Sequence, residues 1–134
     1  MGFLDRVFSL QAEDVFEAWK VLEEEQQLEQ LIQSSYHKIV VIFKHSIRCG
    51  TSAMIKHQLE QNWNFEANEL DFYYLDLINY RPISNAIASR FDVVHQSPQI
   101  IVLRSGRAIF STSHHAISVG RIRMAIKQYL PTND

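Results

Sequence analysis

The chain has 134 residues, 46% hydrophobic and 21% charged, with a formal net charge of −2. That length suits one domain with a real core, and the balance is ordinary for a globular chain. There is no basic footprint for nucleic acid, and no apolar run approaches the roughly 20 residues that cross a bilayer.

Residues 1–18 read as an N-terminal arm or helix, and 19–134 as a single domain. Phe3, Leu4, Val7 and Phe8 have helical spacing, as do Val15, Phe16 and Trp19. Packing on the domain edge explains them. A dimer or membrane-surface contact is the alternative, but only Arg6 and Lys20 are basic before Lys38. The start lacks the basic region, long apolar stretch and small-residue cleavage site of a secretory leader.

Residues 23–34 form a helix with a stripe of Leu28, Leu31 and Ile32. Glu23, Glu24 and Glu25 suit its positive end. Residues 38–44 form a strand, apolar without alternation, which implies burial on both faces. A loop over 45–49 leads to a helix from Gly50 to about Asn62. Ile55, Leu59 and Trp63 lie on one side of it, and Met54 widens that face. Residues 70–78 form the second strand. After a loop over 79–81, Pro82 opens a third helix that runs to about Phe91. A connector ending in Ser97-Pro98 leads to a strand over 99–104. Ser105-Gly106 is a two-residue hairpin turn, and the strand returns over 107–112 to end near Ser113-His114-His115. Residues 118–130 form the last helix, with Ile122, Ala125, Ile126 and Tyr129 inward, and 131–134 form a frayed tail.

This order predicts an α/β fold with a central four-stranded mixed sheet flanked by helices. Two parallel strands joined by a right-handed crossover sit beside a C-terminal β-hairpin. With a cysteine after the first of these strands and an X-Pro before the hairpin, it is the thioredoxin-like arrangement.

Cys49 is the only cysteine, so it has no internal disulfide partner, which suits a reducing cytoplasm. It stands where a buried strand meets a helix N-terminus, a setting that favours the reactive thiolate. The helix dipole supplies only about 0.3–1 kcal/mol. Backbone N–H groups at Thr51 and Ser52, the Ser52 hydroxyl, and cations from Arg48, Lys44 or His45 are expected to add to it. A lone cysteine can also be a small buried hydrophobe. The junction, with Arg48 and Gly50 beside the thiol, favours the reactive role.

Ser52 lies three residues on, where thioredoxins carry their resolving cysteine. A hydroxyl there can donate to the sulfur but cannot attack a mixed disulfide. The chemistry expected is monothiol exchange, in which Cys49 takes half of a disulfide and waits for an outside thiol. In this fold the proline before the hairpin is cis and lies against the thiol, and the backbone beside it can pair with an incoming chain. Cys49, Ser52 and Pro98 are therefore the candidate catalytic residues. Arg48, Gly50, Thr51, Ser97, His45, His95 and His114 are the candidate substrate-binding residues, although His95 can equally cap a loop. No metal site is expected: His114 and His115 point to opposite faces of a strand, and no helix carries paired histidines at ligand spacing.

Several stretches carry a family resemblance: Phe43-Lys44-His45-Ser46-x-x-Cys49-x-x-Ser52, Phe72-Tyr73-Tyr74-Leu75-Asp76, Arg81 with Ile83-Ser84-Asn85-Ala86-Ile87-Ala88, His95-x-Ser97-Pro98-Gln99, and Ser113-His114 with Ile117. Through them, over about 19–130, the chain resembles the YtxJ-type monothiol bacilliredoxin family of the thioredoxin-like superfamily. The resemblance implies a cytoplasmic thiol-disulfide oxidoreductase. Cys49 would attack proteins that carry bacillithiol as a mixed disulfide, Ser52 would hold the resolving position, and Ser97-Pro98 would be the cis-proline segment. It implies thiolated client proteins as partners, no tightly bound cofactor, and bacillithiol or a similar low-molecular-weight thiol as co-substrate.

Two other functions compete. Cys49-Gly50-Thr51-Ser52 is similar to the Cys-Gly-Phe-Ser signature of monothiol glutaredoxins, which carry an iron–sulfur cluster between two protomers. Against this, Ser113-His114-His115 stands where those proteins have the Gly-Gly that grips glutathione. The third reading is a non-catalytic thioredoxin-fold interaction module whose Cys49 is capped under oxidative stress.

Overall fold

A computed structural model describes residues 15–128. The helical spacing at Phe3, Leu4, Val7 and Phe8, the position of Tyr129 and the tail over 131–134 lie outside the described residues. The elements are β1 (Lys20–Val21), α1 (Glu25–Ser34), β2 (Ile39–His45), α2 (Gly50–Gln61), β3 (Leu70–Asp76), α3 (Arg81–Phe91), β4 (Gln99–Arg104), β5 (Arg107–Ser113), a 3-10 turn (His114–Ala116) and α4 (Val119–Lys127).

The unbroken apolar run of β2 makes it the central strand, and all seven of its residues are buried. β3 runs parallel on one side of it, with Val41 opposite Phe72, and β4 runs antiparallel on the other, with Val41 opposite Val102. The four expected strands are joined by a fifth, giving the order β1-β3-β2-β4-β5. The added strand pairs Lys20 and Val21 with Tyr73 and Tyr74.

The helical spacing expected through Val15, Phe16 and Trp19 gives way to a turn just before that strand. The chain turns there, with the Trp19 N–H donating to the Phe16 carbonyl at 2.9 Å. Trp19 is buried in an aromatic cluster, with ring centroids 4.7 Å from Phe72, 5.7 Å from Trp63 and 5.8 Å from Phe43. Burial of so large a ring outweighs the weak helical tendency of a short segment.

The alternation of strand side chains divides the core into two layers. Ile39, Val41 and Phe43 face Ile55 and Leu59 of α2 and Ile122 and Ile126 of α4. Val40 and Ile42 face Leu28 and Leu31 of α1 and Ile83 and Ile87 of α3. Met54, expected to widen the buried face of α2, is exposed instead. Among the described residues, no helix is long and apolar enough to cross a membrane.

The hairpin turn has Ser105 at φ 52° and Gly106 at φ 77°, the left-handed pair of a type I′ turn. Ser35, at the end of α1, holds it: its carbonyl accepts from the Ser105 N–H at 2.7 Å and its Oγ from the Gly106 N–H at 2.8 Å. A Cβ at Gly106 would lie 2.6 Å from the Tyr36 hydroxyl, but Tyr36 is exposed and can swing away. The cost of Gly106→Ala is therefore conformational, about 1–2 kcal/mol. A lower denaturation midpoint with an unchanged slope is expected, and an unchanged midpoint would refute it. Further along this hairpin, the β4–β5 register shifts between Val102 and Leu103, a bulge in the edge pair.

Candidate active site

β2 and β3 end at the same edge of the sheet, and their outgoing loops are joined there. The Leu77 N–H donates to the His45 carbonyl at 3.0 Å. The loop to α2 is drawn tight by the Cys49 N–H donating to the Ser46 carbonyl at 3.2 Å and by the Arg48 N–H donating to Ser46 Oγ at 3.4 Å. Cys49 is the N-cap of α2, with extended backbone (φ −109°, ψ 121°), and its carbonyl accepts the first helical bond, from the Ala53 N–H at 3.0 Å.

The free thiol is half-buried and makes no capping hydrogen bond. An N-cap side chain lies over the first-turn N–H groups, which have no acceptor within the helix. Arg48 and Gly50 are exposed and Thr51 is half-buried. A Cβ on Gly50 would meet nothing within 4 Å, so the space beside residue 50 is open.

Ser52 is fully buried. Its Oγ accepts from the Ser46 N–H at 3.1 Å and lies 2.7 Å from His45 Nδ1. The hydroxyl thus fastens the thiol loop to the first turn of α2. It has one proton, and His45 decides where that proton goes. If Nδ1 accepts it, none remains for the sulfur; if Nδ1–H donates, the hydroxyl is released to donate elsewhere. His45 was expected at the substrate surface, but its position corrects this. It is fully buried, with its ring 5.5 Å from Tyr74 and 5.7 Å from Phe43. It supports the site from beneath.

The Ser97–Pro98 peptide, just before β4, is cis. Pro98 is buried, and its carbonyl accepts from the His114 N–H at 3.1 Å. His114 has φ 55° and an exposed side chain, so the end of β5 comes beside the proline. The turn that begins at His114 also touches α2. The Ser97 backbone N–H and carbonyl make no hydrogen bond among the described residues.

Lys44 and His95 form a third group. Successive strand residues point to opposite faces, so His45 lies under α2 while Lys44 turns toward α3. Lys44 Nζ donates to the Ser84 carbonyl at 3.0 Å and lies 3.2 Å from His95 Nδ1. The expected help of Lys44 to the thiolate is therefore corrected: its ammonium is engaged on the far face of the sheet. Burial pushes its pKa down to about 8, and the nearby Arg81 guanidinium pushes the same way. His95 is also lowered, by burial first and then by the Lys44 and Arg81 charges. The sequence shows a lysine closing an apolar strand, which hints at a buried cation. Nothing local points to Ser84 as its acceptor.

The geometry places one accessible sulfur at a helix N-terminus, with a buried hydroxyl where a second sulfur would stand. Solved structures agree with the fold. A thioredoxin-fold protein assigned as a candidate oxidoreductase is 27% identical, with a TM-score of 0.67 over 84% of this chain and 98% of that one. Malassezia sympodialis thioredoxin is 20% identical, with a TM-score of 0.65 over 82% and 89%. Fasciola hepatica thioredoxin is 21% identical, with a TM-score of 0.64 over 83% and 99%. Likeness to the two thioredoxins carries the fold alone. Residues 20–122 match the model of the monothiol bacilliredoxin BrxC family. That match runs from β1 into α4, well over half of the sequence, and by it the chain belongs to the monothiol bacilliredoxin (BrxC) family of thiol-disulfide oxidoreductases.

Proposed function

We propose that this protein removes bacillithiol, or a similar low-molecular-weight thiol, from protein mixed disulfides through Cys49. The observation that carries this reading is Ser52, buried and hydrogen-bonded in the position where a dithiol enzyme holds its second sulfur. In the first step the Cys49 thiolate attacks the small-thiol sulfur of the client disulfide. The new S–S bond joins Cys49 to the small thiol, and the client cysteine leaves as a thiolate that takes a proton from water. In the second step an external thiolate attacks the small-thiol sulfur on Cys49. It leaves as a small-molecule disulfide, and Cys49 returns as a thiolate. The two electrons that reduce the client come from the small thiols, which makes the thiol a consumed co-substrate and no bound cofactor necessary. A reducing cytoplasm would supply it.

The remaining candidates fit around these steps. First-turn N–H groups at Thr51 and Ser52 stabilise the Cys49 thiolate when it forms and when it is released. The Ser97 N–H and carbonyl offer an extended client a strand-like pairing beside Pro98. Ile47, 43% exposed, and Val94, 79% exposed, supply apolar contact in the thiol loop and the loop leading to the cis peptide. Arg48, Gly50 and His114 flank the space left for the small thiol.

The test uses a protein bearing bacillithiol on one cysteine, followed by intact mass. Wild type is expected to gain the bacillithiol adduct on Cys49 as the client loses it. Cys49→Ser is expected to slow that loss by about 10³-fold or more, toward the uncatalysed rate. Equal loss with Cys49→Ser, or client reduction with no adduct on Cys49, would falsify the reading.

A further inference from the structure

We propose that a cavity at the opposite end of the sheet from Cys49 binds a small phosphate monoester, gripped by Arg104 and Lys38. The site is separate from the thiol chemistry and does not rest on it.

The cavity has a volume of about 240 Å³, and its lining includes Tyr36, His37, Lys38, Ile39, Glu69 and Arg104. Three parts of the fold close it: the link from α1 to β2, the segment entering β3, and the end of β4. Ile39 opens β2 and His45 closes it, so the length of that strand, about 20 Å, separates the cavity from the thiol loop. Drug-sized ligands occupy about 300–1,000 Å³. The occupant here is therefore smaller, of metabolite size.

The surroundings hold more positive charge than their carboxylates answer. Asp71 Oδ1 is shared by two ammonium groups, Lys20 at 3.2 Å and Lys38 at 3.1 Å. Glu69, the acid in the lining, is already engaged. Its Oε1 accepts from Arg123 Nη1 at 3.1 Å and its Oε2 from the Glu66 N–H at 2.6 Å. Arg104 and Arg107 stand directly opposite each other in the β4–β5 register. Neither side chain forms an ion pair or hydrogen bond among the described residues. Like charges so placed repel, and an anion in the cavity relieves the repulsion.

The available donors select phosphate over carboxylate. Arg104 is half-buried and brings an uncommitted guanidinium fork. Lys38 Nζ donates to the Ala67 carbonyl at 2.7 Å and to Asp71 Oδ1, which leaves one of its three protons. The exposed Tyr36 hydroxyl and His37 ring add donors from the α1–β2 link. A carboxylate has two oxygens and a single charge. A phosphate monoester has three free oxygens and a charge of about −1.5 to −2 at neutral pH. It can meet donors from separate elements at once and answers a surplus of more than one positive charge.

Amide NMR with phenyl phosphate, at neutral pH and constant ionic strength, tests the site. Saturating shifts are expected at residues 35–39, 68–69 and 104, with residues 46–52 unmoved. Arg104→Gln is expected to weaken binding about tenfold or more. Arg107→Gln removes an exposed charge that does not line the cavity, and is expected to weaken binding by about threefold or less. Benzoate, a carboxylate on the same ring, is expected to bind about fivefold more weakly or worse. Shifts that fail to saturate, or that centre on the thiol loop, overturn the site. Equal losses in the two arginine variants also overturn it, since they would mean attraction by diffuse charge. Benzoate bound as tightly as phenyl phosphate overturns the assignment of a phosphate ester.

Discussion

In Ser52→Cys, a mixed disulfide on Cys49 resolves without added thiol, and its lifetime falls by about 100-fold or more. Cys49 is the N-cap of α2 and residue 52 is three positions on, in its first turn. Helix geometry puts Cα atoms three positions apart at about 5 Å, within the usual disulfide range of about 4.4–6.8 Å between Cα atoms. The wild-type adduct must wait for a second molecule, whereas a sulfur at 52 is tethered beside it. The substitution has a structural cost. Ser52 Oγ serves the Ser46 N–H and His45 Nδ1, and sulfur is a weaker partner for both. A loss of about 1–2 kcal/mol in stability is expected. Intact mass after removal of free thiol reads the outcome: wild type keeps its adduct, and the variant sheds it and loses two hydrogens. An adduct that lasts equally long in both proteins means that residue 52 does not face the sulfur.

The second large effect is a pH-dependent stability difference between wild type and Lys44→Met. The Lys44 ammonium is held at a pKa of about 8 in the folded chain, against 10.5 for the free group. Folding therefore disfavours the charged form. Below pH 8 both states hold the proton and the folded state bears the whole penalty, about 3 kcal/mol. Between pH 8 and 10.5 the unfolded chain holds more of the proton, so stability from this group rises with pH. Removing the ammonium relieves the penalty at pH 7. It also strips the Ser84 carbonyl and His95 Nδ1 of a donor, worth about 1–3 kcal/mol, so the two proteins should be close in stability there. The diagnostic is the trend: from pH 7.5 to 10.5 wild type should gain up to about 3 kcal/mol on the variant. Tyr73, pushed up chiefly by burial, and Tyr80, pushed up chiefly by its hydrogen bond to Glu23, are shared and cancel in the difference. Urea midpoints across that range measure it, and a flat difference sinks the account.

What the sequence showed and what it hid follow from the range of the forces involved. The β2 run and the Ser105-Gly106 turn are local signals, because burial on both faces and left-handed backbone each leave a mark within a few residues. The spacing of Cys49 and Ser52 is equally local. β1 is different: two residues carry no periodicity, and they extend because Trp19 meets rings on β2, β3 and the segment after α2. Lys44 and His45 look alike in the sequence, two basic residues ahead of a thiol. Strand alternation sends one to each face, and both are buried. The contacts that then define Lys44 span 40 residues to Ser84 and 51 to His95, and no local pattern reports them.

The bulge between Val102 and Leu103 bears on how this protein meets other chains. A sheet that ends in long, regular strands invites further strands to add at its margins. Here one margin is β1, only two residues long, and the other is β5, whose pairing with β4 is interrupted. Both are poor templates for self-association. On the function proposed above, an extended client gains little along these flanks and more at the Ser97 backbone, which makes no backbone hydrogen bond among the described residues. Flawed borders would make the protein selective about where it can be touched.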